Sequence, residues 1–234
     1  MKKIVFNHKS YLDLEGIKKY KTEITKINPK NYELILMPQI CYLSLFVSSK
    51  IKIGAQNFYS YNEGSYTGEA NIKALKSLGV EYFLLGHSER RELVRESYEL
   101  TRNKLFKSLN AKTKTILCVG EPNKKTNSIK YLKKELSFYL SSLEEENLKY
   151  LTIAYEPAWA IGGFESLKVE KIKKTTEMIK NYFRKKFDYE IEVLYGGSVD
   201  ISNIKDIIDV TDGVLVGRIS SNIQKAKELI NTID

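Results

Sequence analysis

The sequence has 234 residues, of which 42% are hydrophobic and 29% charged, a composition typical of one α/β domain or two small ones in a soluble protein. No apolar run approaches the roughly 20 residues that a membrane-spanning helix needs, and the N-terminal segment becomes polar too soon for a signal peptide. The two cysteines, Cys41 and Cys118, are too few for a disulfide framework, so we expect a cytoplasmic protein with free thiols and no membrane partner.

The formal net charge of +9 has more than one interpretation. A positive field could steer an anionic substrate, or it could bind nucleic acid. Most basic stretches, however, lie beside acidic residues at helical spacing, as in Lys133-Lys134-Glu135, which is typical of solvated helix faces. We favour that interpretation, with steering of a small phosphate ester as the second, and expect no nucleic-acid partner.

Short apolar runs alternate along the chain with longer charged segments of helical spacing. The apolar runs lie at residues 4–6, 34–36, 51–55, 82–85, 115–119, 151–155, 191–194 and 214–216. The amphipathic segments include residues 14–27, 98–109, 129–143 and 169–187. This alternation predicts a parallel sheet, and eight units in about 250 residues suit a closed (β/α)8 barrel, although an open doubly wound sheet also fits the pattern. No linker-like segment interrupts it, so we predict an α/β protein with a single domain over residues 1–234.

The active site of such a barrel lies at the carboxyl ends of the strands, so the residues after each apolar run are the candidates. The first run is followed by Asn7, His8 and Lys9. Lys9 could supply a positive charge to a phosphate or an enolate oxygen, although a lysine there is more often a solvated charge.

The fourth run is followed by His87, one of two histidines, at a helix start for which Ser88 is the candidate cap. A helix N-terminus disfavours imidazolium, so a neutral His87 could donate to a carbonyl oxygen, although most lone histidines are structural.

Glu156 directly follows the sixth apolar run, and a carboxylate in that position is a candidate general base. The next residues, Pro157 to Gly163, combine a proline, the only tryptophan and paired glycines. A hinged lid has this composition, although a loop with a core tryptophan is the commoner case for an arbitrary barrel.

Glycines follow the seventh and eighth apolar runs, in Gly196-Gly197-Ser198 and Gly217-Arg218. Glycines let backbone N–H groups approach an anion closely, and this end of the barrel often binds phosphate, so we favour a phosphate site over plain tight turns. Together with Glu156, His87 and Lys9, these segments suit proton abstraction next to a carbonyl in a small phosphorylated sugar. The sequence has no metal-ligand cluster and no Walker motif, and we expect neither a metal nor a cofactor.

Seven segments, spread over nearly the whole chain, resemble in order the signature segments of the triosephosphate isomerase family. They lie at residues 54–57, 66–69, 86–91, 118–121, 155–162, 195–199 and 212–217. The resemblance implies a TIM barrel that interconverts dihydroxyacetone phosphate and D-glyceraldehyde 3-phosphate through an enediolate, in glycolysis and gluconeogenesis. It implies no cofactor and no metal.

The resemblance also implies a role for each matching catalytic residue. Glu156 would be the base that moves a proton between neighbouring carbons. A neutral His87 would polarise the carbonyl and help to shuttle the hydroxyl protons. Lys9 would stabilise the negative enediolate, with Asn7 as a further donor.

By the same resemblance, the substrate phosphate would be held by Gly162, Ser198 and the backbone at Gly217 and Arg218. The stretch from Pro157 to about Leu167 would be a lid that excludes water, a device for which this family is itself a standard example.

The segment Asn62 to Gly68 matches the family's protruding third loop, which in relatives docks into the partner subunit, so the resemblance implies a homodimer. Three departures from the family pattern stand out: Arg218 replaces a usual glycine, His8 replaces a usual tryptophan, and the lid tip at residues 163–167 differs. We expect Arg218 to be tolerated, because its N–H survives, and predict that Arg218→Gly changes the Michaelis constant by less than about tenfold.

Two other functions remain open from the sequence alone. A different phosphate-binding barrel enzyme, such as an aldolase or another sugar isomerase, would use a similar rim, but an aldolase needs a Schiff-base lysine within a strand. The strands offer only Lys9 and the edge residues Lys52 and Lys114. A basic nucleic-acid-binding protein would need clustered charge and aromatic platforms, whereas most of the 16 tyrosines fall within helix or strand patterns.

Overall fold

The structure is a computed structural model that describes residues 1–161 and 167–233. Eight parallel strands form a closed barrel in chain order, in which β1 pairs with both β2 and β8. The strands are β1 (Lys2–Asn7), β2 (Tyr32–Met37), β3 (Lys52–Ala55), β4 (Val80–Leu85), β5 (Lys114–Val119), β6 (Leu151–Tyr155), β7 (Glu192–Tyr195) and β8 (Gly213–Val216). Closure through the β1–β8 pair confirms the predicted α/β (β/α)8 barrel and excludes an open doubly wound sheet.

Helices connect most of these strands on the outside of the barrel. The α-helices are α1 (Leu14–Ile24), α2 (Ile72–Ser77), α3 (Ser88–Glu92), α4 (Tyr98–Asn110), α5 (Ser128–Tyr139), α6 (Val169–Phe187), α7 (Ile204–Asp209) and α8 (Ile223–Ile233). Several begin at a polar side chain that accepts a backbone N–H of the first turn, namely Asp13, Asn71, Ser97 and Asn127. The connection from β2 to β3 instead contains a 3-10 helix, Ile40–Phe46. Among the described residues, no helix combines the length and apolar character needed to cross a membrane.

Two hydrophobic clusters stabilise the barrel. The larger one lies between the strands and the surrounding helices, and includes the amphipathic face of α6 with Ile172, Ile179 and Phe183. The smaller one fills the barrel interior with buried side chains from alternate strand positions: Val5, Ile35, Met37, Tyr82, Leu84, Ile116, Cys118, Ala154, Leu194 and Leu215. The interior is therefore packed, and any substrate must bind at an end of the barrel.

A buried ion-pair cluster fixes the segment that follows β4. Glu96, whose side chain is 1% exposed, accepts from Arg90 at 2.5 Å and from Lys104 of α4 at 2.8 Å. Lys104 also donates to Asn57, which follows β3. Because these charges are paired and hydrogen-bonded, they hold α3 and α4 in one position relative to the barrel rim.

His8, just after β1, lies almost fully buried against Tyr20 of α1, with ring centroids 4.3 Å apart and planes at 77°. Burial lowers the pKa of His8 to about 3, although the Ser220 backbone favours the charged form. His8 is therefore an uncharged core residue at neutral pH.

We predict that His8→Phe removes part of the pH dependence of stability. Unfolded His8 takes up a proton below its ordinary pKa of 6.5, whereas the folded residue does so only near pH 3, so the free energy of unfolding falls as the pH drops through this window. These values give a loss of about 2 kcal/mol between pH 7 and pH 5. Urea unfolding of both proteins, at both pH values and one protein concentration, should show that the change in the free energy of unfolding from pH 7 to pH 5 is about 2 kcal/mol less favourable in the wild type than in the variant.

Glu135, whose pKa burial raises to about 7, titrates in the same window with the opposite sign. It is present in both proteins, so its contribution cancels in the comparison. Identical pH dependences for the wild type and His8→Phe would contradict the prediction.

Candidate active site

The inward-facing residues at the carboxyl-end rim of the barrel can be found by following each strand past its last interior side chain. The last interior residues of five strands are Val5, Cys118, Ala154, Leu194 and Leu215. Successive side chains of a strand point to opposite faces, so the residue two positions further on faces inward again. At the rim these residues are Asn7, Gly120, Glu156, Gly196 and Gly217. The top layer thus holds two polar side chains and three glycines.

The rim glycines leave room for neighbouring polar residues. A Cβ on Gly196 would lie 2.7 Å from Glu156 Cγ, and a Cβ on Gly217 would lie 3.1 Å from Lys9 Cε. A Cβ on Gly120 would lie 2.0 Å from the backbone oxygen of Glu156. None of the three has a positive φ, so space rather than backbone conformation requires glycine there.

We predict that Gly196→Ala lowers kcat by about tenfold to a hundredfold, because the added methyl group displaces the Glu156 side chain and misplacement by about 1 Å is costly in an active site. Steady-state kinetics of the variant would measure the effect. Gly16→Ala, in the first turn of α1, where a Cβ would meet Asp13 and Leu12 instead of a rim residue, is the matched control. Full activity of Gly196→Ala would contradict this account of the glycine.

His87 is the N-cap of α3. Its Nδ1 accepts the backbone N–H of Glu89 at 3.3 Å, which corrects the expectation that Ser88 caps this helix. Because Nδ1 accepts a hydrogen bond, we assign the ring proton of neutral His87 to Nε2. Nε2 then donates to Glu156 Oε1, 3.1 Å away. The helix cap therefore fixes both the tautomer and the direction in which the imidazole donates.

Glu156 is 1% exposed and lies just beyond β6, where its backbone N–H continues the pairing with Val119. Its second carboxylate oxygen accepts the N–H of Ser88 at 3.4 Å. Burial alone would raise the pKa of the Glu156 carboxyl, but the adjacent His87 imidazole, with smaller contributions from Arg91 and Cys118, brings the pKa below its ordinary value. The group is therefore an ionised carboxylate at neutral pH, as a base requires.

Lys9 lies beside these two residues in a left-handed backbone conformation, with φ at 50°. Asn7 Oδ1 accepts its N–H at 3.0 Å, and the Gln56 side chain donates to its carbonyl at 2.9 Å. The Lys9 ammonium is 2.6 Å from a carboxylate oxygen of Glu89. Gln56 and Glu89 therefore hold Lys9 in place. Both residues lie shortly after the end of a strand, and this position in the sequence could have identified them as site residues.

The predicted residues meet in one cavity of about 480 Å³ at this rim. Those that line it are Asn7, Lys9, His87, Glu156, Ser198, Gly217 and Arg218. Gly162, the remaining predicted residue, lies outside the described residues, as does the lid tip at residues 163–166. In the described parts of the chain, no three His, Cys, Asp or Glu side chains are grouped as ligands for a metal ion.

The start of the predicted lid is anchored by Glu121, a buried residue that follows β5 and to which the sequence alone assigned no role. Glu121 accepts from the Tyr155 hydroxyl at 3.1 Å, from Ser128 at 2.7 Å and from the Trp159 indole at 3.4 Å. Ser198 donates to the carbonyl of Ala160 at 2.7 Å. These contacts tie residues 157–161 to the rims of β5 and β7.

Comparison with known proteins identifies the family. The family model for triosephosphate isomerase matches residues 2–233. The triosephosphate isomerase of Francisella tularensis subsp. holarctica (strain FTNF002-00 / FTA) is 35% identical over 209 residues, 85% of this chain and 83% of the relative. That of Aster yellows witches'-broom phytoplasma (strain AYWB) is 35% identical over 219 residues, 88% and 79% of the two chains. That of Alkaliphilus oremlandii (strain OhILAs) is 34% identical over 194 residues, 79% and 78%.

Proposed function

Because the chain belongs to the triosephosphate isomerase family, we propose that Glu156, His87 and Lys9 carry out the proton transfers of its reaction. The reaction is the interconversion of dihydroxyacetone phosphate and D-glyceraldehyde 3-phosphate, a step of glycolysis and gluconeogenesis. The observation that carries the assignment is the 3.1 Å contact between a buried carboxylate and an imidazole N–H that face one cavity.

The proposed steps follow from the chemistry of these groups. The Glu156 carboxylate takes a proton from C1 of dihydroxyacetone phosphate, and the electron pair of that bond forms the C1–C2 double bond while O2 becomes negative. The Nε2–H of His87 and the ammonium of Lys9 stabilise that oxygen. His87 assists transfer of a proton between O1 and O2, and Glu156 returns its proton to C2, giving the aldose.

The phosphate group of the substrate is assigned to the end of the cavity formed by Ser198, Gly217 and Arg218, with Gly162 as a further contact from the lid. Support comes from the lining of the cavity, where Ser198 and Gly217 lie beside Arg218 at the mouths of β7 and β8. Asn7 is assigned as a further donor to the substrate.

A coupled dehydrogenase assay in both directions tests the function directly. We expect isomerisation of either triose phosphate without added metal or cofactor. Release of a triose phosphate from a larger sugar phosphate, with no isomerisation, would instead indicate an aldolase.

We also propose that two copies form a homodimer through the loop Asn62 to Gly68. Tyr66 of this loop forms an aromatic cluster with Tyr59 and Tyr61, which precede it, with ring centroids 5.0 to 5.3 Å apart, and Tyr61 is 55% exposed. A second cavity, of about 470 Å³, adjoins the active site and is lined in part by the exposed residues Leu93 and Val94. An aromatic cluster at the loop and exposed apolar residues at the second cavity suit an obligate interface.

Sedimentation equilibrium combined with activity measurements tests the dimer. We expect a dimer in all fractions that isomerise the substrate. A fully active monomer would refute the proposal.

For the whole chain we propose a single domain over residues 1–234 that acts in the cytoplasm. The free thiols Cys41 and Cys118 suit a reducing compartment, and the glycolytic reaction of the family takes place on soluble metabolites. Fractionation of cells that express the tagged chain tests the location.

A further inference from the structure

Two exposed cations, Arg218 and Lys225, line the same cavity as Glu156 and His87. Arg218 begins the 3-10 helix Arg218–Ser221, directly after Gly217 at the mouth of β8. Lys225 lies in the first turn of α8, outside every segment from which the family resemblance was drawn. Both side chains therefore border the end of the cavity that is assigned to the phosphate.

The charges of these two residues have no acidic partner among the described residues. Lys9, the other cation of this lining, forms an ion pair with Glu89 at 2.6 Å. Across residues 1–161 and 167–233, neither Arg218 nor Lys225 forms an ion pair. Asp200, the second carboxylate of the lining besides Glu156, accepts from the N–H and hydroxyl of Ser202 at 2.8 and 2.6 Å and lies in an ion pair with neither cation. This end of the cavity therefore has two positive charges available for an anion.

The backbone of Lys225 is held in place by the start of its helix. Asn222 Oδ1 accepts the N–H groups of Gln224 and Lys225, both at 3.1 Å, and so caps α8. The next residue, Ala226, is buried against the barrel, while Lys227 points away to Glu23 of α1 at 2.5 Å. A fixed backbone with a long side chain lets Lys225 reach a ligand without a change in the fold.

We propose that Lys225, acting with Arg218, attracts and holds the phosphate dianion of the substrate, as a specificity-determining residue for this reaction. The inference rests on the proposed position of the phosphate at the mouths of β7 and β8. A phosphate monoester carries close to two negative charges at neutral pH, and a lysine ammonium supplies a compact positive charge for it. In this chain the charges of Arg218 and Lys225 thus add to the backbone N–H groups that are proposed to bind the phosphate.

The test compares the wild type with Lys225→Met. Calorimetric titration with inorganic phosphate should give a Kd about three- to tenfold higher for the variant at low ionic strength, and a difference below about twofold in about 0.5 M salt, where exposed charges are screened. The value of kcat/KM for D-glyceraldehyde 3-phosphate should fall by a similar factor at low salt. Turnover of glyceraldehyde, which lacks the phosphate, should be unchanged.

Lys227→Met is the matched control, because it removes a lysine from the same helix that faces Glu23 instead of the cavity. We expect it to bind phosphate like the wild type, and Lys225→Arg to retain most of the wild-type affinity. Equal phosphate affinity for the wild type and Lys225→Met would overturn the inference, as would an equal loss with glyceraldehyde. The phosphate titration does not depend on turnover. If the wild type bound phosphate but did not isomerise the substrate, the proposed function would be refuted. The phosphate Kd of Lys225→Met, compared with that of the wild type, would still decide the role of Lys225.

Discussion

Glu156→Gln is expected to lower kcat by at least about a thousandfold in both directions of the isomerisation, because an amide cannot take the proton that the carboxylate takes. The change is nearly isosteric, and the amide oxygen can still accept from His87, so that only the long contact with the Ser88 N–H at 3.4 Å is lost. Folding should therefore be preserved. Initial rates from the coupled assay, with circular dichroism to verify the fold, measure the effect.

Glu146→Gln provides the matched control for this variant. Glu146 is an exposed carboxylate in the 3-10 helix Glu145–Tyr150, which precedes β6, so it lies at the opposite end of the strand that leads to Glu156. Its replacement should leave both rates unchanged. If Glu156→Gln turned over like the wild type, another group would have to be the base, and the proposed mechanism would be wrong.

His87→Asn is expected to lower kcat by about a hundredfold to a thousandfold, with a smaller change in the Michaelis constant. Asparagine is a favourable N-cap, so its side-chain oxygen can replace Nδ1 as acceptor for the Glu89 N–H. It is too short to replace Nε2, which donates into the cavity beside Glu156. The variant thus keeps the cap of α3 and removes the donor.

Thermal unfolding and steady-state kinetics of His87→Asn separate these two roles. A melting temperature close to that of the wild type, together with the loss of turnover, would support the assignment of His87 as donor. His87→Gln, whose longer amide reaches further towards the cavity, should recover part of the rate. A His87→Asn variant that is unstable but fully active when folded would show that His87 is only a structural cap.

The alternation of apolar runs with amphipathic segments predicted the eight parallel strands, but the pattern also fitted an open sheet, which only the β1–β8 pairing excludes. Each strand of the structure coincides with a predicted apolar run to within two residues, because a strand buried on both faces must be apolar throughout. Helix ends were less well predicted. The run 129–143 suggested a longer α5, but the helix ends at Tyr139 and Ser142 adopts a positive φ of 67°. Apolar residues continue past that end because Leu140 and Leu143 pack on the core from a turn.

The site was predictable where a residue type carries its own chemistry and follows a strand. Glu156, His87 and Lys9 met both conditions, and the structure brings them to one cavity. The cap at His87 was not predictable, because serine is the commoner capping residue and the choice depends on the imidazole geometry. The role of Glu121 was also hidden, since its partners Tyr155 and Trp159 lie more than 30 residues away along the chain.

The three rim glycines change how a mutational survey of this enzyme should be interpreted. Alanine scanning normally deletes atoms and reports what a side chain contributes. At Gly120, Gly196 and Gly217 the same substitution inserts a methyl group into space that another residue occupies. A loss of activity there would measure steric intrusion upon Glu156 or Lys9, not the removal of a contact. Library designs that enlarge this active site for bulkier substrates should therefore keep these three glycines and vary other residues that line the cavity.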